Sequence, residues 1–140
     1  MNKKLSLSLS LAACATVLAA CGGGSTASSP TATVAAGGNA ENGKALYTQS
    51  TLGPNSAPGC STCHSLDGST LVGPTHQGIG TAAASRVPSL SAAAFLEESI
   101  RNPNAHVTEG FVEGVMYQNY GTELTDQEID DLVAYLLTLK

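Results

Sequence analysis

The feature that most constrains this chain is a pair of cysteines three positions apart, with a histidine directly after the second. The segment reads Cys60-Ser61-Thr62-Cys63-His64. Two thiols at this spacing lie on one turn and can reach the two vinyl groups of a porphyrin, and the next residue points its imidazole at the iron. The pattern predicts covalent attachment of one haem c, with Cys60 and Cys63 as thioether residues and His64 as an iron ligand.

Three other kinds of site also use closely spaced cysteines. Structural zinc takes four ligands, but no cysteine follows Cys63, and His76 and His106 are isolated in the sequence. A thioredoxin-like redox pair follows a strand in an α/β domain, whereas residues 52–59 before the motif predict a loop. A plain disulfide between the two cysteines is the third alternative. The adjoining His64 favours haem over all of them.

The composition also calls for a large apolar cofactor. The chain has two Phe, four Tyr and no Trp, which is little aromatic material for a core. Residues 65–90 show neither helical nor strand periodicity, and so long an irregular stretch is uncommon in a compact domain unless it has a function. A haem would fill the centre and give these loops a surface to pack on.

The N-terminus has the layout of a secretory signal peptide. Lys3 and Lys4 precede an uncharged apolar run that extends from residue 5 to residue 20. The run is short for a membrane-spanning helix, which needs about 20 apolar residues. We therefore expect residues 1–20 to be removed on export.

The end of this run resembles a bacterial lipobox, Leu18-Ala19-Ala20-Cys21. Cleavage before Cys21 and transfer of diacylglycerol to its sulfur would anchor the chain to a membrane, facing the periplasm or the cell exterior. The same letters end at Cys14, but the apolar run before them is very short. An ordinary signal peptide is the alternative. Residues 21–38 then form a lipidated cysteine and a flexible linker of small residues.

Charge limits the class of partner. After cleavage eleven acidic residues remain against four basic ones, a net charge of −7; the basic residues are Lys44, Arg86, Arg101 and Lys140. This balance argues against binding to nucleic acid or to anionic lipid. It favours protein partners with a basic docking face.

Three helices are predicted within residues 39–140, which we expect to form the folded domain. Asn39 can cap the first helix, and Ser91 can cap a second that ends at Asn102-Pro103. The third begins with a capping box, Thr125-Asp126-Gln127-Glu128. Its apolar residues then recur at helical spacing: Ile129, Leu132, Val133 and Leu136.

Met116 is the candidate for the sixth iron ligand. It is the only methionine beyond the signal peptide, and it lies in an irregular segment before the last helix. A thioether is a soft ligand, and histidine–methionine ligation raises the reduction potential of a haem. His76 and His106 are the alternative ligands.

The ordered set of motifs resembles class I c-type cytochromes, and in particular the cytochrome c domain fused to subunit II of some bacterial oxidases. The resemblance spans nearly all of residues 39–140 and implies a small all-α fold wrapped around one covalent haem. The matching segments are Cys60–His64, Leu71-Val72-Gly73-Pro74, residues 95–105, Gly114-Val115-Met116 and residues 124–136.

The resemblance also implies roles for particular residues. Pro74 matches the proline whose carbonyl accepts a hydrogen bond from the proximal histidine, here His64, opposite the distal ligand Met116. The small residue Gly43 would let the first and last helices cross closely, with Tyr47 and Tyr135 as the packed aromatics. Many relatives have proline directly after the ligand methionine.

This chain has Tyr117 at that position. The sequence leaves three consequences of this difference open. The methionine loop could be less rigid, Tyr117 could form a hydrogen bond near a haem propionate, or its ring could simply pack against the core.

The function implied is transfer of single electrons between a respiratory or photosynthetic donor complex and a terminal oxidase or another acceptor. No copper-binding oxidase domain precedes the haem domain, so we expect a free-standing anchored carrier rather than an enzyme. A permanent haem subunit of a membrane complex is one alternative. A haem peroxidase or gas-binding protein is another, but it would need an open sixth position on the iron.

Overall fold

The computed structural model describes residues 37–140. The predicted signal peptide, Cys21 and the linker up to residue 36 lie outside them. The elements in chain order are α1 (Ala40–Thr48), β1 (Thr51–Leu52), β2 (Ala57–Pro58), a 3-10 turn (Cys60–Thr62), α2 (Ile79–Arg86), α3 (Ala92–Arg101), α4 (Tyr120–Glu123) and α5 (Asp126–Thr138). The fold is the small all-α architecture that the resemblance implied.

The two terminal helices pack directly on each other. Asn39 caps α1 through its side chain, which accepts from the backbone N–H groups of Glu41 and Asn42. A β-carbon on Gly43 would lie 1.9 Å from the carbonyl oxygen of Asp131 in α5, so the helices cross at a contact that only glycine permits. The close crossing predicted for the first and last helices is confirmed.

The core lies between α5, α3 and the aromatic side chain of Tyr47 in α1. The Thr125–Glu128 capping box is formed, and it starts α5 where the sequence predicts. Helix α3 also begins and ends as predicted, from its Ser91 cap to its C-cap at Asn102. The most completely buried large side chains are Tyr47, Ile129, Leu132 and Val133.

Three elements differ from the sequence prediction. Residues 79–86 form helix α2 inside the stretch expected to be irregular. Residues 51–58 include a short antiparallel hairpin in which Thr51 pairs with Pro58 and Leu52 with Ala57. One turn of helix, α4, precedes α5. Each is short or built from small residues, so none gives a clear periodic signal.

The lengths and polarity of the helices determine whether any of them could span a membrane. In the part of the chain that the structure describes, every helix is too short or too polar to cross a bilayer.

Candidate functional site

The cysteine–histidine motif folds as one tight turn. The hairpin β1–β2 delivers the chain to Gly59, and the N–H of Cys63 donates to the carbonyl of Cys60 at 3.1 Å. The N–H of His64 donates to the same carbonyl at 2.9 Å. The turn brings Cys60, Cys63 and His64 to the wall of one cavity. Attachment of a haem by two thioether bonds and ligation of its iron by the next residue would require this arrangement.

Both cysteines of the motif are free thiols in the structure. Burial raises the pKa of the Cys60 thiol to about 11, so its sulfur is protonated at neutral pH. A catalytic redox pair has the opposite property, a lowered thiol pKa. Among residues 37–140 no group of three His, Cys, Asp or Glu side chains could hold a metal ion.

The ring of His64 is oriented by a backbone carbonyl. Its Nδ1 lies 2.8 Å from the carbonyl oxygen of Pro74, and because that oxygen can only accept, Nδ1 carries the proton. Nε2 is then left with a free lone pair, which is the form needed to ligate iron. Burial lowers the pKa of His64, and only 9% of the residue is exposed. The ring is therefore neutral at pH 7.

The loop that carries Pro74 is tied back to the residues after His64. The hydroxyls of Ser65 and Thr75 are hydrogen-bonded at 2.9 Å, and the N–H of His76 donates to the Ser65 carbonyl at 2.8 Å. Gly73 crosses close to the imidazole, since a β-carbon there would lie 2.4 Å from Cε1 of His64. The His64 imidazole is thus held by Pro74 and Gly73, and the loop that carries these two residues is itself hydrogen-bonded to Ser65.

His76 belongs to this proximal cluster. Its ring stacks on that of His64 with centroids 4.0 Å apart and planes 11° from parallel. The Tyr47 hydroxyl donates to the His64 carbonyl at 3.0 Å, so it accepts from Nδ1–H of His76, 3.2 Å away. Burial, and the neighbouring His64 to a lesser degree, lower the pKa of His76 to about 3.

The two alternative histidines also line this cavity, and each makes contacts of its own. His76 lies face to face with His64. His106 pairs with Glu98 through Nε2 at 2.9 Å and lies tilted against Phe95.

Met116 lines the same cavity as His64 and packs partly buried against the core. Side chains on both sides of the loop hold its backbone. Asn104 accepts from the N–H of Gly114 at 2.9 Å, and the amide of Gln118 donates to the Met116 carbonyl at 2.6 Å. The sequence-predicted residues Cys60, Cys63, His64, Pro74 and Met116 all line this cavity.

The cavity fits a haem in size and in chemistry. Its volume is about 540 Å³, within the range of small-molecule and cofactor sites, roughly 300–1,000 Å³. Apolar side chains from α3 and α5 form much of its wall: Phe95, Leu96, Ile100, Leu132 and Leu136. Two thiols, one neutral imidazole and one thioether supply the donors for thioether bonds and for two axial positions on iron.

Arg86 was not singled out in the sequence, although it lines this cavity from the last turn of α2. It is the only Lys or Arg among the lining residues that the structure describes. A guanidinium at this wall fits the carboxylates of a haem propionate by charge and by its hydrogen-bonding fork. The sequence analysis did not identify Arg86 as a site residue because it did not predict helix α2, which carries Arg86 to the cavity wall.

Comparison with known proteins gives one clear finding. A family model described as "Cytochrome c" matches residues 40–140, nearly three-quarters of the chain and all of the described helices. No curated protein matches the chain significantly.

Proposed function

Because the chain belongs to the cytochrome c family, we propose that it is a membrane-tethered, class I carrier of single electrons between a donor complex and an oxidase-type acceptor. The observation that carries this proposal is the single cavity that brings Cys60, Cys63 and His64 together with Met116. Haem c with its iron is the family's covalent cofactor, and electron transfer is the family's activity.

Each donor of the site would have a distinct role toward the haem. Cys60 and Cys63 would hold it through thioether bonds, and His64 and Met116 would be the ligands of its iron. When bound, the haem supplies a one-electron couple whose potential depends on its axial ligands and surroundings. The apolar wall from α3 and α5 would exclude water from the bound haem.

The protein side chains keep the site in one geometry and exclude other chemistry. The Pro74 carbonyl holds the His64 proton on Nδ1 and fixes the ring, which leaves Nε2 free to bind iron. As a second iron ligand, Met116 would leave no open coordination position for oxygen or peroxide. Both features favour carriage of electrons over catalysis.

The mouth of the cavity supports brief docking with a basic partner. Valine side chains on the lining are strongly exposed, with Val112 at 72% and Val115 at 55%. The exposed acids Glu109 and Glu113 lie on the same loop. A small apolar contact with acidic residues beside it suits a transient interface with a positively charged face.

Spectroscopy of the intact holoprotein and of Met116→Ala tests the carrier proposal. We expect the wild type to show one haem per chain by pyridine haemochrome and a low-spin ferric spectrum with the methionine-to-iron charge-transfer band. Met116→Ala should keep the haem but lose the band, lower the potential and bind added imidazole. An unchanged spectrum and potential would show that Met116 is not the ligand.

The tether is proposed from Cys21 and is tested separately. Cys21→Ala should release the haem protein from membranes into the soluble fraction. If the variant stays with the membrane, the lipobox interpretation is wrong, while the electron-carrier proposal is unaffected.

A further inference from the structure

The segment that carries Met116 has no regular structure of its own. Between the end of α3 and the start of α4, residues 102–119 contain neither helix nor strand. The backbone has positive φ at Gly110 and Gly114, 88° and 76°, so the chain changes direction twice before Met116. No proline follows the methionine to restrict the backbone. The position of its sulfur therefore depends on contacts made by neighbouring side chains.

Tyr117 makes the most specific of these contacts. Its hydroxyl donates to Oε1 of Glu123 at 2.5 Å, a short hydrogen bond to a carboxylate at the end of α4. Oε2 of the same carboxylate is buried and has no partner within the described residues. The Tyr117 hydroxyl is thus the one side-chain partner of this carboxylate among the described residues, and it satisfies one of the two oxygens.

A second aromatic joins this pair to the haem-attachment turn. The rings of Tyr117 and Tyr120 meet edge to face with centroids 5.1 Å apart. The hydroxyl of buried Tyr120 donates to the carbonyl of Pro58, two residues before Cys60. A chain of contacts therefore runs from the residue after Met116 to the start of the cysteine–histidine turn.

We propose that Tyr117 and Glu123 are positioning residues for the distal ligand: their hydrogen bond, braced by Tyr120, holds Met116 over the cavity. The inference rests on the proposed ligation of iron by Met116. The bond fixes the residue after the methionine to α4, and Tyr120 fixes α4 to the segment before Cys60. The distance between the distal ligand and the attachment turn is thereby set by side chains.

Tyr117→Phe in the holoprotein tests the proposal, because it removes one hydroxyl and keeps the ring on Tyr120. We expect roughly three- to ten-fold faster binding of imidazole to the ferric protein, which corresponds to about 0.7–1.4 kcal/mol, the usual net contribution of one hydrogen bond. The methionine-to-iron charge-transfer band should weaken and the reduction potential should fall. A merely structural role would leave band and potential unchanged.

Variants of the acceptor give an independent measure. Glu123→Ala should reproduce the effect of Tyr117→Phe, and the double variant should add little, because both changes remove the same bond. Glu123→Gln keeps an oxygen that can accept from Tyr117, so its effect should be smaller than that of Glu123→Ala. Fully additive effects would overturn the proposal.

Tyr135→Phe is the matched control. It also removes a tyrosine hydroxyl, but in α5, where the ring packs on Tyr47. It should keep the wild-type band and imidazole rate. If the wild type itself lacks the band, the proposed ligation fails. If the band is present and Tyr117→Phe matches the control in all three measurements, ligation stands and the positioning role is wrong.

Discussion

At the scale of single residues, the proximal side of the site shows what a motif can and cannot predict. The contact between His64 and the Pro74 carbonyl was implied by the resemblance to class I c-type cytochromes. The stacking of His76 on His64 was not, because His76 belongs to no motif and reaches the ring only through the fold of residues 65–76. Sequence reasoning missed the long-range contacts that are made by residues outside any motif, such as His76.

Asp131 is another residue whose role appears only in the structure. The backbone N–H of Asn39, at the start of α1, donates to its Oδ1 at 2.7 Å, and the Gln127 amide donates at 2.9 Å. The Asn39 hydrogen bond in particular lowers the pKa of Asp131 below its ordinary value of 3.8. The ionised carboxylate therefore links the beginning of the domain to α5.

This lowered pKa predicts a pH-dependent loss of stability in Asp131→Asn. At neutral pH the variant should unfold about 1–2 kcal/mol more easily, since charge-assisted hydrogen bonds are lost. A carboxylate with a depressed folded-state pKa stabilises above its unfolded pKa and loses that contribution as pH falls through the folded one. The gap between variant and wild type should therefore close below about pH 3.8.

Denaturant unfolding of the holoprotein from pH 7 to pH 2 measures this difference. Asp130→Asn is the control, because the neighbouring carboxylate has no side-chain hydrogen bond among the described residues. A gap that stays constant with pH would contradict the assigned role of Asp131.

At the scale of elements, local signals explain the helices that were predicted. Asn39, Ser91 and the Thr125–Glu128 capping box each satisfy backbone N–H groups by local hydrogen bonds, so a short stretch of sequence suffices to find them. Helix α2 lacks such a signal. Its N-cap is Gly78 without a side-chain bond, and it buries only Gly80 and Ala83, which give little contrast in hydropathy.

The crossing of α1 and α5 predicts a large effect of one methyl group. Alanine inside a helix normally stabilises by about 1 kcal/mol relative to glycine. At Gly43, however, the β-carbon would meet the backbone of Asp131 at 1.9 Å, which cannot move without displacing α5. Gly43→Ala should lower the free energy of unfolding by about 2–3 kcal/mol, the cost of overpacking.

Thermal or denaturant unfolding of the holoprotein measures this cost. Gly37→Ala serves as the control, since a methyl group there meets nothing within 4 Å. Equal stabilities of the two variants would show that the helices separate easily at this crossing.

At the scale of the whole molecule, the charge of the domain predicts how its reactions depend on salt. Residues 37–140 carry eleven acidic and four basic side chains, a net charge of −7. Reduction of the ferric protein by a cationic reagent should slow as ionic strength rises from about 0.01 M to 0.1 M, over which the Debye length falls from about 30 Å to about 10 Å.

Stopped-flow measurements with reagents of opposite charge provide the check. An anionic reagent of similar potential should react faster, not more slowly, as salt is added. If both reagents respond in the same direction, the net charge does not govern the approach to the haem.

The position at which the chain enters the domain matters for measuring electron transfer at an electrode. The Gly37 carbonyl accepts from the Gln127 amide at 3.0 Å, and Asn39 bonds to Asp131, so the chain enters beside the first turns of α5. None of these four residues belongs to the cavity wall. Immobilisation on a gold electrode through a thiol at position 21 would therefore leave the valine-lined mouth available to a soluble mediator.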